Sequence, residues 1–154
     1  MQIELIDSQD KIRLDLQNLK EICAYISDKI DPDDEKSLNI IFLSDNGIKE
    51  LNRDYRKIDR VTDVLSFSYI EDSIGVKSEK IPNIIGEIYI APLTAQKNAK
   101  DRGNEWGLEL EIILLIIHGI LHIYGYDHEE EEEKAVMFNI QVSLLHNIRN
   151  KDWN

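Results

Sequence analysis

The chain has 154 residues, 42% of them hydrophobic, a length and composition that fit one globular domain with a sizeable core. A formal net charge of −12 excludes coating of nucleic acid by general electrostatics, which needs lysines and arginines to neutralise phosphates, so any such contact requires a local basic patch. A single cysteine, Cys23, excludes a disulfide framework and a cysteine-rich zinc module, and the expected location is cytoplasmic.

The first residues, MQIELIDSQDK, lack the basic and long apolar regions of a secretory signal, so the mature chain is expected to start at Met1. Residues 2 to 6 alternate weakly like a strand, and residues 10 to 30 carry Ile12, Leu16, Leu19, Ile22 and Ile26 at helical spacing. Pro32 and the charged DPDDEK segment break that pattern. LNIIFL (38 to 43) is short, β-branched and apolar, as a buried strand should be. Ser44 or Asp45 can cap a second helix with Ile48, Leu51 and Tyr55 on its inner face. RKIDR (56 to 60) is a basic connection to a third strand, VLSFSYI (64 to 70).

Residues 71 to 83, with Gly75 and Pro82 among charged and small residues, are the best candidate for a mobile lid. GEIYIA (86 to 91) reads as a fourth strand, and Pro92 opens a helix to about Arg102, with Gly103 at its stop. A helix from about Gly107 to Tyr124 follows, then a last one from about Glu129 to Asn147. Trp106 to Tyr126 is the most apolar stretch, but Glu109, Glu111, His118 and His122 interrupt it. Its unbroken aliphatic run, Ile112 to Ile117, falls short of the ~20 residues of a membrane span, so a buried helix is expected and no membrane contact. The run Glu129 to Glu133 reads as a solvated first turn favoured by the helix dipole. The whole predicts a single α+β domain over 1–154: a mixed sheet of about four strands covered by about five helices, with a metal site at the end of a buried helix.

That metal site rests on H118-G-I-L-H122-I-Y-G125-Y-D127-H128. Helical residues four apart share a face, so His118 and His122 can clamp one ion, and Gly125 lets the chain turn so that His128 returns to it. Three of the chain's four histidines thus fall within eleven residues. Three imidazoles suit zinc, with nickel, cobalt or iron also open, and three protein ligands leave a position for chemistry that a closed structural site lacks. Cys23, His146 and Asp127 are poor fourth ligands: the first two lie on other helices, and Asp127 is better suited to orienting a histidine. His146 reads as an ordinary histidine near a helix C-terminus.

The spacing HxxxHxxGxxH also occurs in metzincin proteases, which carry a glutamate directly after the first histidine as general base. Here Gly119 stands there, so peptide hydrolysis by that route has lost its base. HGILHIYGYDH resembles instead the HGxLHLxGYDH signature of the YbeY family of bacterial metal-dependent endoribonucleases. LNRDYRKIDRVTDVLSFSY is similar to that family's LNxxYRxxDxxTDVLSF block and IIGEIYIA to its LGDIxI strand, in the expected order over residues 38 to 142. Ile123, Ser68, Glu87 and Gln141 depart mildly from the pattern, and none is expected to touch a proposed ligand.

The resemblance implies an enzyme that cleaves single-stranded RNA, takes part in maturing ribosomal RNA, especially the small-subunit 3′ end, and in ribosome quality control. It carries over His118, His122 and His128 as metal ligands and Arg56 as a catalytic residue. Arg56 offers a permanently charged planar fork matched to phosphate oxygens. The general base is unassigned, with water or the ribose 2′-hydroxyl as attacking group. Arg53, Arg56, Lys57 and Arg60, with Lys97, Lys100 and Arg102, are expected to form the basic patch that the acidic whole requires. Two other readings compete: a ribosome-associated RNA-binding factor with a structural metal, and a hydrolase of another small ester or phosphate.

Overall fold

A computed structural model describes residues 1–70, 83–103, 105–126 and 130–150. Its strands are β1 (Gln2–Ser8), β2 (Ser37–Leu43), β3 (Val64–Ser68) and β4 (Ile84–Ile90), and its helices α1 (Leu16–Ile30), α2 (Asp45–Arg56), α3 (Pro92–Asp101), α4 (Gly107–Ile123) and α5 (Glu131–Arg149). The strands lie in the order β1-β2-β4-β3; β1, β2 and β4 are parallel, and β3 runs antiparallel to β4 as an edge strand. Leu38, Ile40 and Phe42 of β2 and Ile88 and Ile90 of β4 are fully buried, as the apolar runs of inner parallel strands must be. This is the expected α+β architecture of four strands and five helices among the described residues.

The two faces of the sheet are covered unequally. Ile88 and Ile90 join the large core with α1, α4 and α5, whereas Tyr89 and Phe67 pack in a smaller cluster against Ile48 and Leu51 of α2. Alternating side chains of one strand point to opposite faces, so α2 covers one side and the longer helices the other. α4 is apolar nearly all round and lies within the large core, as a helix without a polar face must. Its one fully buried charge, Glu111, receives Arg102 Nε at 2.9 Å and the Trp106 indole N–H at 2.6 Å.

Several expectations shift. α1 begins at Leu16, not near residue 10, because Asp15 caps it by accepting from the Asn18 amide. Ile12 lies before it, in a turn tied by the Gln9 side chain, which bonds both its N–H and its carbonyl. Ser44 caps α2 through the Gly47 amide. On α2, Ile48 is buried and Leu51 partly so, but Tyr55 is 67% exposed, and Asn52 takes the buried position instead. Glu130 to Glu133 are exposed around the start of α5, as a solvated first turn requires. The lid expected over 71 to 83 lies, apart from Asn83, outside the described residues. No helix among the described residues is long and apolar enough to cross a membrane.

Candidate metal centre

α4 carries His118 and His122 on one face, one turn apart, with Nε2 atoms 2.9 Å from each other and ring centroids 4.4 Å apart. Two nitrogens each ~2.0–2.1 Å from a single zinc ion are separated by about 2.9 to 3.4 Å for angles from right to tetrahedral. The separation of the pair lies at the right-angle end of that range. His128 and Asp127 lie outside the described residues, and no group of three candidate ligands occurs among the described ones. Cys23 is sealed in the α1 core, where burial pushes its thiol up to about 12, so it offers no thiolate. His146 sits exposed in the last turn of α5, 3.1 Å from the Asn150 amide.

Two glycines let α4 come close enough to the sheet to present this pair. A Cβ at Gly119 would stand 2.9 Å from Ile88 Cδ1 and 3.1 Å from Ser66 Oγ; one at Gly86 would stand 2.5 Å from the Phe67 carbonyl oxygen and 2.8 Å from Ile123 Cδ1. Gly119, where a protease would carry its glutamate, is thus the contact that lays α4 against β3 and β4. The Ser68 hydroxyl donates to the Ile123 carbonyl at 2.9 Å and ties the end of α4 to the edge strand. Gly125 then ends the helix with φ +90°, its amide bonding the His122 carbonyl at 3.0 Å while the Tyr126 amide bonds the Leu121 carbonyl at 3.0 Å. That is a Schellman ending, and it turns the chain sharply immediately before residues 127 and 128.

Arg56, the last residue of α2, reaches across the edge strand: its Nη2 donates to the Ser66 carbonyl at 2.7 Å and its guanidinium lies 5.3 Å from the centre of the Phe67 ring. It thus braces β3. A cleft of about 640 Å³ is lined by Arg56, Arg60, Ser66, Ser68, His118 and His122, which brings the proposed phosphate-binding arginine and two proposed ligands to one cavity. The turn between α2 and β3 is held by buried Asn52, whose amide donates to the Arg60 carbonyl at 2.9 Å. The expected basic patch is only partly assembled. Arg53 pairs with Asp54 at 3.1 Å, and Arg102 is committed to Glu111.

One contact corrects an expectation. Gln141 of α5 places its amide 3.1 Å from His118 Nδ1, so this departure does touch a proposed ligand. The signal was available in the helix register: Met137, Leu144 and Ile148 are buried, and Gln141 shares their face at spacings of four, three and seven. Glu87 is remote from such a role: its carboxylate accepts from the hydroxyls of Tyr69 and Tyr89, and burial, followed by that bond, raises the Tyr89 hydroxyl.

Fold and site together define an α+β protein with a histidine pair on a buried helix, opening into an arginine-bearing cleft at a sheet edge. The family model described as Endoribonuclease YbeY matches residues 2–149, and the chain belongs to that family. Relatives called Endoribonuclease YbeY include one from Ureaplasma urealyticum, 37% identical, with 86% of this chain and 81% of the relative covered. Another, from Listeria welshimeri, is 33% identical with 94% of each chain covered. The solution structure of TM1509 from Thermotoga maritima superposes with a TM-score of 0.66 at 35% identity, covering 97% of this chain and 90% of that one.

Proposed function

We propose that this chain is a metal-dependent endoribonuclease that cuts single-stranded RNA, acting as one catalytic domain over 1–154 in the cytoplasm. Its substrate is ribosomal RNA, at or near the small-subunit 3′ end, and its working partner is the ribosome. Zinc is the expected ion, with nickel as the alternative, held by His118, His122 and His128. The observation that carries this reading is the pair of imidazole nitrogens 2.9 Å apart in a cleft that also receives Arg56.

Each residue has a physical task. His118 and His122 are fixed by one rigid helix, and His128 follows the turn that Gly125 makes. A bound zinc ion would polarise a phosphoryl oxygen and lower the pKa of coordinated water to ~7. Arg56, braced on Ser66 and Phe67, is pre-oriented to grip phosphate oxygens and stabilise the charge that grows on them during cleavage. Ser66 and Ser68 line the same cleft with hydroxyls. The end group left on the product identifies the attacking oxygen: a 2′,3′-cyclic phosphate reports attack by the ribose 2′-hydroxyl.

The test pairs metal analysis with cleavage of a labelled single-stranded RNA by wild-type, His122→Ala and Arg56→Ala proteins. The expected result is about one equivalent of transition metal in the wild type, loss of metal and cleavage in His122→Ala, and loss of cleavage with metal retained in Arg56→Ala. Metal-replete wild-type protein that cuts no faster than His122→Ala overturns the nuclease reading and favours an RNA-binding factor.

A further inference from the structure

We propose that Tyr55 is a stacking platform for an RNA base, one that holds the nucleotide neighbouring the phosphate gripped by Arg56. The inference rests on the RNA-cleaving reading and adds a base-binding subsite to it.

Scattered exposed apolar residues need no explanation, so exposure alone is not the argument. Tyr55 stands apart because it occupies a position where helical spacing from Ile48 and Leu51 points inward, yet it is 67% exposed. Among the described residues its ring is braced by one aromatic neighbour. Phe67 meets it at 5.6 Å and 71°, and Phe67 is braced in turn by Tyr89 at 5.8 Å and 82°. A tyrosine so placed presents a large amphipathic surface to solvent, and its two side-chain torsions cost little to order on binding.

Its neighbours select the ligand. Arg56 lies over the same Phe67 ring at 5.3 Å, so the aromatic surface and the phosphate-gripping guanidinium share one support. Successive nucleotides of an extended strand present phosphate and base by turns, which matches an arginine inside the cleft and an aromatic ring just outside it. Ile58 and Val61, both more than a third exposed, add apolar surface to the cleft lining. Residues 53 to 60 hold four cations against Asp54 and Asp59, a local positive balance in a chain of net charge −12. Basic groups interleaved with an exposed aromatic favour a single-stranded nucleic acid over an acidic protein segment, which has no bases to stack. Bases inside a duplex cannot reach such a ring, so the subsite itself would select single strands.

The test is made in a His122→Ala background, which prevents cleavage. Binding of a labelled oligouridine and of an abasic ribose-phosphate oligomer of the same length is measured for that parent and for added Tyr55→Ala, Tyr55→Phe and Tyr55→Trp. Expected are a loss of about five-fold or more on oligouridine in Tyr55→Ala, retention within about two-fold in the Phe and Trp variants, and no difference on the abasic oligomer. The salt dependence should be unchanged in Tyr55→Ala, because a stacking ring releases no counterions. Equal binding by parent and Tyr55→Ala overturns the proposal, as does an equal loss on both oligomers or a loss in Tyr55→Phe matching that in Tyr55→Ala. A parent that binds neither oligomer, together with metal-replete wild-type protein that neither binds nor cuts single-stranded RNA, fails earlier, at the RNA reading itself. Thermal melts confirm that each variant is folded, and Tyr55→Leu, apolar but without a ring and expected to lose oligouridine binding as Tyr55→Ala does, takes its place if the Ala variant is not.

Discussion

The side-chain amide of Gln141 sits 3.1 Å from Nδ1 of His118, on the far side of the imidazole from the nitrogen that faces His122. A histidine that binds a metal through Nε2 carries its proton on Nδ1 and must donate it. The amide nitrogen of Gln141 occupies that position, and a half-turn of the amide presents its oxygen as acceptor in the same place. Gln141→Leu, similar in length but without the acceptor, should weaken metal binding by about 10- to 100-fold. Gln141→Glu, a charged acceptor, should tighten it. Competition against a chelator of known affinity reads both, and equal affinities in all three proteins would reduce Gln141 to packing.

Gly119 and Gly86 make a second, separable prediction. At Gly119 a new methyl group meets side-chain atoms, Cδ1 and Cγ2 of buried Ile88 and Oγ of Ser66, which can give by small rotations, whereas at Gly86 it meets the backbone oxygen of Phe67, which cannot. Overpacking costs about 1–3 kcal/mol, and Gly119→Ala should fall at the low end of that range and Gly86→Ala at or above the high end. Urea unfolding midpoints decide it. A Gly86→Ala protein as stable as wild type would mean that Gly86 is not pressed against Phe67 of β3 and Ile123 of α4 as described.

How much of this is legible in the sequence depends on whether the signal is local. β2, β4 and α4 announce themselves through apolar runs, and the histidine pair through a spacing of four, because both depend only on neighbours along the chain. Gly119 is readable as the absence of a protease base, but its reason is long-range: Ile88 and Ser66 come from strands that meet it only in the fold. Tyr55 misleads because the apolar spacing Ile48, Leu51, Tyr55 continues to the end of α2, while only the start of that face is roofed by the sheet. Gln141 is passed over when judged by residue type, although its register with Met137 and Leu144 already places it inward. Arg56 follows the same logic, since its partner Ser66 lies ten residues away across a turn that Asn52 holds.

Asp31, at the end of α1, ties the start of the chain to the end of α4. Its carboxylate accepts from Lys36 Nζ at 2.9 Å and from the Tyr124 hydroxyl at 2.6 Å, while its backbone carbonyl takes the Met1 amino group at 2.7 Å. The Lys36 bond first, and the Tyr124 bond second, hold this carboxyl well below the usual carboxylate range. A carboxyl depressed in the folded state stabilises the fold above its unfolded value and loses that contribution as pH falls through its folded value. Wild type should therefore exceed Asp31→Asn in stability at neutral pH, and the gap should close only under strongly acidic conditions. Urea unfolding of both proteins at neutral pH and through the acid range checks the sign; a gap that widens toward low pH contradicts it.

Arg56→Lys separates charge from shape at the proposed phosphate site. Lysine keeps the positive charge but brings a single ammonium, without the fork that spans from the Ser66 carbonyl toward the cleft while lying on Phe67. If Arg56 acts mainly by attraction, the lysine variant should bind and cut RNA nearly as well as wild type. The braced geometry favours the other outcome: kcat lower by about 10²-fold, comparable to removing one preorganised donor to developing charge, with KM and metal content changed little. A lysine variant with near-wild-type kcat would return Arg56 to a simple electrostatic role, in which its charge matters and the fork does not.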